Sequence, residues 1–435
     1  MKTKTLKRDK VNIITLGCSK NMVDSEVLGG QLFANDIQVV HESARKDHNI
    51  VIINTCGFID KAKEESVNTI LDQVELKRRG KIDKVYVTGC LSERYKNNLE
   101  QEIPEVDAYF GTFELPQILK KFEINYQTEL VGERLISTPS HYAYLKISEG
   151  CNRTCAFCAI PLMRGSHVSK PIELLVAEAE LLVRKGVKEI MLIAQELTYY
   201  GLDIYKKRAL PRLLHALADI KGLEWIRLHY AYPSKFPLDI LDVIRERDNI
   251  CNYLDMPLQH ASDRMLEVMR RQITNGEMSE LIDTIREKVP GICLRTTLIA
   301  GFPGETLDDV EEMKVFLQKH RFDRVGIFSY SHEEGTSGFT LNDDIPDQEK
   351  ERRAQDIMQV QQEISYEKNK EKIGKIFKVI IDKKESGRYI GRTEFDSVEV
   401  DNEVIISSSD KLIIGDFAQV RITGAFDYDL EGELV

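Results

Sequence analysis

The stretch EGCNRTCAFCAIP, residues 149–161, decides the fold. It places Cys151, Cys155 and Cys158 within eight residues, directly after the apolar run Tyr142–Ser148. Three cysteines on one loop can wrap a single metal centre. Structural zinc sites ordinarily take four ligands in paired spacing, and no fourth Cys or His stands nearby. Three thiolates on a [4Fe-4S] cluster would leave one iron open for a cofactor or substrate. A zinc site or buried thiols are the alternatives. Outward from this loop, apolar runs recur at Glu189–Ala194, Glu224–Tyr230, Tyr253–Met256, Ile292–Ile299 and Arg324–Tyr330, with helical patterns following most of them. This is the repeat of a (βα) unit. Six units fit an open, partial barrel of the (βα)6 type, with the cysteine loop at the carboxyl end of its first strand, the face that carries chemistry in such folds; a doubly wound sheet shares the rhythm, and periodicity alone does not separate the two.

Upstream, Val11–Leu16, Asn49–Asn54, Lys84–Thr88 and Val106–Phe110 alternate with polar helical segments, which predicts a separate parallel α/β sheet. Cys18, Cys56 and Cys90 each end such a run and each adjoins a glycine. Strand ends form the ligand-binding edge of open α/β sheets, so these cysteines form a candidate second triad, with buried small residues as the alternative. Downstream, residues 347–373 carry the composition of one connecting helix. After Gly374 the pattern turns to alternation (Phe377, Val379, Ile381; Val398, Val400; Val420, Ile422), which predicts a small antiparallel β-barrel, OB-like. The expected units are 9–123, 138–345, 346–373 and 374–435, with 123–140 as linker.

Composition bounds the function. The chain has 435 residues, 60 Lys and Arg against 71 Asp and Glu, and a net charge of −11, which argues against a broadly basic nucleic-acid binder. No apolar run approaches the roughly 20 residues of a membrane span. The basic start, MKTKTLKRDK, lacks an h-region and a cleavage site. A cytoplasmic monomer is expected, and its cysteines should then be ligands or buried residues rather than disulfides. Cys251 and Cys293 lie in apolar strands without a glycine flank and are expected in the core.

The CxxxCxxC spacing, with Phe157 as the aromatic before the last cysteine, resembles the radical S-adenosylmethionine (SAM) superfamily. LGCSKNMVDSE, NTCGFIDKAKEES and TGCLSER resemble the N-terminal domain of its methylthiotransferases. The likeness continues through AQELTYYG, MPLQHASDRMLEVMRR, TLIAGFPGET and FSYSHEEGTSGF to a terminal module that resembles a TRAM domain. The resemblance implies two [4Fe-4S] clusters, on Cys18, Cys56 and Cys90 and on Cys151, Cys155 and Cys158, with SAM as both methyl donor and radical source. It implies SAM contacts at Phe157, Gln195, Glu196, Arg295, Thr297 and Gly301. Glu196 departs from the family's usual aspartate. Gln195 and Glu196 could instead cap the following helix, and Arg295 could form a structural pair. Arg164, Gln259 and His260 are candidates for contacting a substrate or a carboxylate; a salt bridge and a hydrogen-bonded structural histidine are the competing readings.

The Lys20-Asn21 pair, CGFIDKAKEES and HYAYLKISEGC resemble the type that modifies an aspartate of the twelfth small-subunit ribosomal protein, free or within the ribosome. The other type modifies a tRNA adenosine beside the anticodon. A non-catalytic iron–sulfur or zinc protein that binds the ribosome is the reading from a different class. Residues 374–435 hold eight Lys and Arg against thirteen Asp and Glu. Such acidity suits a basic protein better than phosphates, unless it serves solubility alone. The sequence identifies neither the electron donor nor the sulfur source.

Overall fold

The computed structural model describes residues 9–43, 47–127 and 133–435. The basic start and part of the expected linker fall at 1–8 and 128–132, outside the described residues. The first domain is a five-stranded parallel sheet of β1 (Lys10–Thr15), β2 (Gln38–His41), β3 (Ile50–Thr55), β4 (Lys84–Gly89) and β5 (Ala108–Tyr109), in the order β2-β1-β3-β4-β5. The order reverses between β1 and β3. That is a topological switch point, where a crevice opens beyond the strand ends. β3 is buried along its whole length, as expected of a central strand with helices on both faces.

The second domain contains β6 (Tyr142–Lys146), a small ribbon of β7 (Ser148–Glu149) and β8 (Val168–Ser169), and then β9 (Glu189–Ile193), β10 (Trp225–Leu228), β11 (Ile250–Asp255), β12 (Cys293–Ala300) and β13 (Arg324–Ser329). The large sheet runs β13-β12-β11-β10-β9-β6, strictly in chain order and all parallel. Right-handed crossovers that always step the same way put every helix on one face and curl the sheet. A doubly wound sheet would reverse direction, so strand order settles what periodicity leaves open. Among the described residues β6 and β13 do not pair, and the barrel is open. Its outer face packs Leu192, Leu228, Leu254 and Leu294 against the helices.

A helix, Asp347–Lys370, leads to β14 (Ile376–Glu385), β15 (Arg388–Thr393), β16 (Val404–Ser407), β17 (Phe417–Ala425) and β18 (Leu430–Leu434), which close into a barrel in the order β14-β15-β16-β18-β17. One pair, β16 with β18, is parallel. The alternation expected at Val398 and Val400 is not a strand. Residues 394–403 form a turn segment, with Val400 exposed.

That segment enters the lumen of the large barrel from the amino-terminal ends of its strands, where Cys293 and Arg324, the first residues of β12 and β13, meet Phe395 and Asp396. Arg227 donates to Glu189 (2.8 Å) and to the Glu394 carbonyl (2.6 Å); Arg392 reaches Glu189 at 2.8 Å. Tyr253 donates to Asp401 (2.7 Å), Arg295 pairs with Asp401 (3.2 Å), and Arg324 pairs with Asp396. The barrel lumen is therefore lined by arginines paired partly within the barrel, Arg227 with Glu189 and Arg295 with Asp255, and partly from the terminal module, Arg295 with Asp401 and Arg324 with Asp396. Two of the carboxylates expected to face a basic partner, Asp396 and Asp401, are turned inward instead, because buried guanidinium groups need carboxylates.

Candidate functional site

Each cysteine of the first triad follows a strand of the first sheet. Cys18 lies just past β1, Cys56 just past β3, and Cys90 opens the helix that β4 feeds. At the switch point the two strand ends pack tightly: a Cβ on Gly17, the residue before Cys18, would lie 2.8 Å from Cys56 Sγ. Gly89 (φ +98°) leaves no room for a Cβ, which would stand 2.5 Å from the Thr55 carbonyl. Cys18 is exposed, whereas Cys56 and Cys90 are buried. Burial pushes the Cys56 thiol up, and the Cys90 thiol to about 12, with the neighbouring triad members adding to the effect.

The second triad lies on the loop after β7. Gly150 (φ +75°) turns the chain into it, and Cys151 N–H donates to the Gly165 carbonyl at 3.0 Å. Burial raises Cys151 to about 11 and Cys158 to about 12. Donors nevertheless point at the sulfurs. Arg153 N–H lies 3.4 Å from Cys151 Sγ, and Arg271 Nη1 donates to Cys155 Sγ at 3.1 Å. In the first triad Arg164 Nε donates to Cys90 Sγ at 3.3 Å. Sulfurs that are largely withdrawn from water and met by donors, a guanidinium at Cys90 and at Cys155 and a backbone N–H at Cys151, suit thiolates that form when a positively charged centre binds. Among the described residues, no three His, Cys, Asp or Glu side chains are set to hold one metal ion; thiolates sharing a four-iron cluster stand wider apart than the ligands of a single ion.

The arginines tie the site together. Arg153 is sandwiched between Tyr199 (4.0 Å) and Tyr232 (3.7 Å) and pairs with Glu196 at 2.8 Å. Arg271 stacks on Tyr232 (4.2 Å) and donates to the Pro257 carbonyl (2.5 Å). Arg164 bridges the domains: it pairs with Asp24 (2.6 Å) and Glu149 (3.2 Å) and donates to Asn21. Lys146 joins the same network through Asp24 and through Glu149 at 2.6 Å. Sequence reasoning missed Arg153, Arg271 and Tyr232. Their contacts are long-range, and only the basic residues around each cysteine loop hinted at them.

Of the expected SAM contacts, Phe157 packs beside Ala156, Met265 and Phe302. Gln195 donates to Glu149 (2.6 Å), and its buried Oε1 has no partner among the described residues. Glu196 is buried; it caps the short helix Leu197–Tyr199 through Thr198 N–H (2.7 Å) and holds Arg153. The structure thus gives Glu196 the capping role and leaves Gln195 facing the site. Arg295 pairs with Asp255 at 3.1 Å and lies 3.5 Å from Thr297 Oγ1. Gly301 sits against Lys350, so close that a Cβ would lie 2.3 Å from its Cγ, and is a packing residue here. Gln259 takes φ +78° and bridges by its backbone to Thr297 and Ile299. His260 is fully buried; Nδ1 accepts from the Ala261 and Ser262 N–H groups (2.9 Å each), and Nε2 lies 3.3 Å from Glu305. With both ring nitrogens engaged, His260 is structural rather than a substrate contact. Cys251 and Cys293 are in the core, as expected.

Three family models match the chain in order: one described as uncharacterized protein family UPF0004 over residues 10–111, the radical SAM superfamily over 145–317, and a TRAM domain over 373–435. Fold and cysteine loop together define a radical SAM enzyme, a class that works with an iron–sulfur cluster and SAM. The chain is 58% identical over 435 residues to the ribosomal protein uS12 methylthiotransferase RimO of Flavobacterium johnsoniae, covering 100% of both chains. It is 59% identical over 436 residues to that of Cytophaga hutchinsonii, with the same coverage. The chain belongs to this RimO family of methylthiotransferases. Among solved structures, the radical SAM methyltransferase TsrM of Kitasatospora setae, with cobalamin and a [4Fe-4S] cluster bound, shares the fold at a TM-score of 0.54 and 15% identity, covering 74% of this chain and 75% of that one. Among the described residues no helix is long and apolar enough to cross a membrane.

Proposed function

We propose that this enzyme adds a methylthio group to the β-carbon of an aspartate of ribosomal protein uS12. In this reading Cys18, Cys56 and Cys90 hold one [4Fe-4S] cluster, and Cys151, Cys155 and Cys158 hold a second. The observation that carries the reading is the full-length identity with RimO proteins named for that substrate, together with two cysteine triads at the carboxyl edges of two parallel sheets. When bound, the clusters and SAM supply the radical, the methyl group and the carried sulfur, because breaking a non-acidic C–H bond is work for a cofactor rather than for acid–base side chains.

The chain's own residues bind and orient. Gln195 Oε1 offers a vacant acceptor to an ammonium, which fits the amino group of SAM. Arg271 and Arg164 each hold one thiol of a triad. Lys146 and Arg164 face Asp24 and Glu149 in a charge-balanced network at the domain junction. An incoming aspartate carboxylate can exchange with one of these carboxylates and take the planar fork of Arg164. Arg295 and Thr297 line the barrel beside Asp255. The protein acts in the cytoplasm as a monomer, on free or ribosome-bound uS12.

Anaerobic reconstitution should give about eight irons per chain, four for each cluster, with Cys→Ala in either triad removing half. Incubation with SAM, reductant and sulfide, together with uS12 or tRNA, should add CH3S in place of H on the uS12 peptide alone. A product on a tRNA nucleoside and none on uS12 would overturn the substrate, and a chain that takes up only zinc would overturn the radical chemistry.

A further inference from the structure

We infer that the segment 331–340, SHEEGTSGFT, is a strut that fixes the spacing between the two cysteine sites, with Glu333 as its positioning residue; this rests on the reading that both sites are loaded. The segment follows β13 and touches both cysteine loops. At one end Gly338 N–H donates to the carbonyl of Ala156, which lies between Cys155 and Cys158, at 2.7 Å. A Cβ on Gly338 would stand 2.8 Å from that oxygen, so only glycine approaches so closely. Tyr330, just before the segment, packs edge-on against Phe302 (4.8 Å) in the apolar cluster under Ala156.

At the other end Glu333, 2% exposed, accepts from Arg94 Nη1 at 2.7 Å and from Lys63 Nζ at 3.0 Å, both in the first domain. Arg94 Nη1 also donates to the carbonyl of Gly57, the residue after Cys56, at 2.8 Å, and Nη2 donates to the Glu334 carbonyl at 2.9 Å. Arg94 itself stands one helical turn beyond Cys90 on Cys90–Glu102. One short segment therefore holds the backbone neighbour of Cys56 through Arg94 on one side and, directly, that of Cys155 and Cys158 on the other. Glu333 takes two cations and the Ser331 hydroxyl (2.7 Å) as partners, none of them a thiol. A buried carboxylate is costly unless paired, and here its pairs cross the domain boundary. Transfer of a group between two fixed centres is sensitive to displacements of about 1 Å, which can cost on the order of 100-fold in rate. A strut that sets this distance protects the transfer step and leaves SAM cleavage at one centre alone.

The test uses the full-length, reconstituted enzyme and Glu333→Gln. Three quantities are read: iron per chain, 5′-deoxyadenosine formed, and methylthiolated product per 5′-deoxyadenosine. A fourth reading is the magnetic coupling between the two reduced clusters, seen as broadening of their EPR lines. The expected result is iron and 5′-deoxyadenosine within twofold of the parent, product per 5′-deoxyadenosine down at least tenfold, and altered coupling, with Glu333→Asp recovering part of each. Unchanged coupling and an unchanged product ratio would overturn the strut. If Glu333→Gln loses iron, Lys63→Met decides on the same criteria, since it removes one partner at the domain surface. A parent enzyme that shows coupled clusters but modifies neither uS12 nor tRNA would defeat the functional reading, while the coupling still judges the strut.

Discussion

Glu189→Gln should loosen the terminal module from the barrel by an amount that depends on pH. Glu189 is fully buried between Arg227 (2.8 Å) and Arg392 (2.8 Å). Burial alone would raise its pKa, but Arg392 and then Arg227 outweigh it and hold the carboxyl at about 2 against an ordinary 4.5. At about 1.4 kcal/mol per tenfold, that difference is worth ~3 kcal/mol, the lower end of the roughly 3–5 kcal/mol lost when a buried pair is broken. A depressed folded value stabilises fully above the unfolded value and loses its contribution as pH falls through the folded one. Parent and variant should therefore differ by ~3 kcal/mol at pH 7 and converge between about pH 4.5 and pH 2. The single tryptophan reports the event, because Trp225 is buried edge-on against Phe417 of the terminal module at 4.8 Å. Urea titration of the cluster-free chain, followed by its emission, should show a midpoint lower by about 1 M at pH 7, taking a slope of about 3 kcal/mol per M. Equal midpoints at pH 7, or a gap that stays constant down to pH 3, would refute the reasoning.

Two further outcomes are expected. Arg271→Leu removes the guanidinium donor 3.1 Å from Cys155 Sγ; the oxidised state of the second cluster then gains relative to the reduced one, and its potential should fall by on the order of 50 mV in an EPR-monitored titration, with iron content unchanged. Gly150→Ala forces a φ of +75° on a residue with a side chain, whose Cβ would stand 2.1 Å from the Ser166 carbonyl; reconstituted protein should lose the iron of the second site and keep that of the first, which metal analysis with Cys151→Ala as reference would check.

The sheets were legible because their strands are short apolar runs recurring between helical patterns, and the cysteines of both triads follow such runs with a glycine beside Cys18, Cys56, Cys90 and Cys151. β2 escaped notice: QVVH at the sheet edge is only partly buried and has no strong alternation. The segment at 394–403 misled because Val398 and Val400 alternate as in a strand, while the contacts that fix it (Asp396 to Arg324, Asp401 to Arg295) lie more than 70 residues away in sequence. The same distance hid Arg271 and Arg164 as partners of the thiols, and left Glu196 and His260 as ligand candidates when local caps and backbone donors already occupy them. Periodicity sees neighbours along the chain; charge pairing across the lumen has no periodic signature.

The arginine-lined lumen also bears on how the protein is made. Arg324 is synthesised before Asp396, its counter-ion, and Arg295, which also pairs with Asp255, before Asp401. Until those residues leave the ribosome, a nascent barrel must either keep its lumen wet or carry buried, unmatched guanidinium charge. The charge balance of the barrel lumen is thus completed only once Asp396 has been made and folded against Arg324.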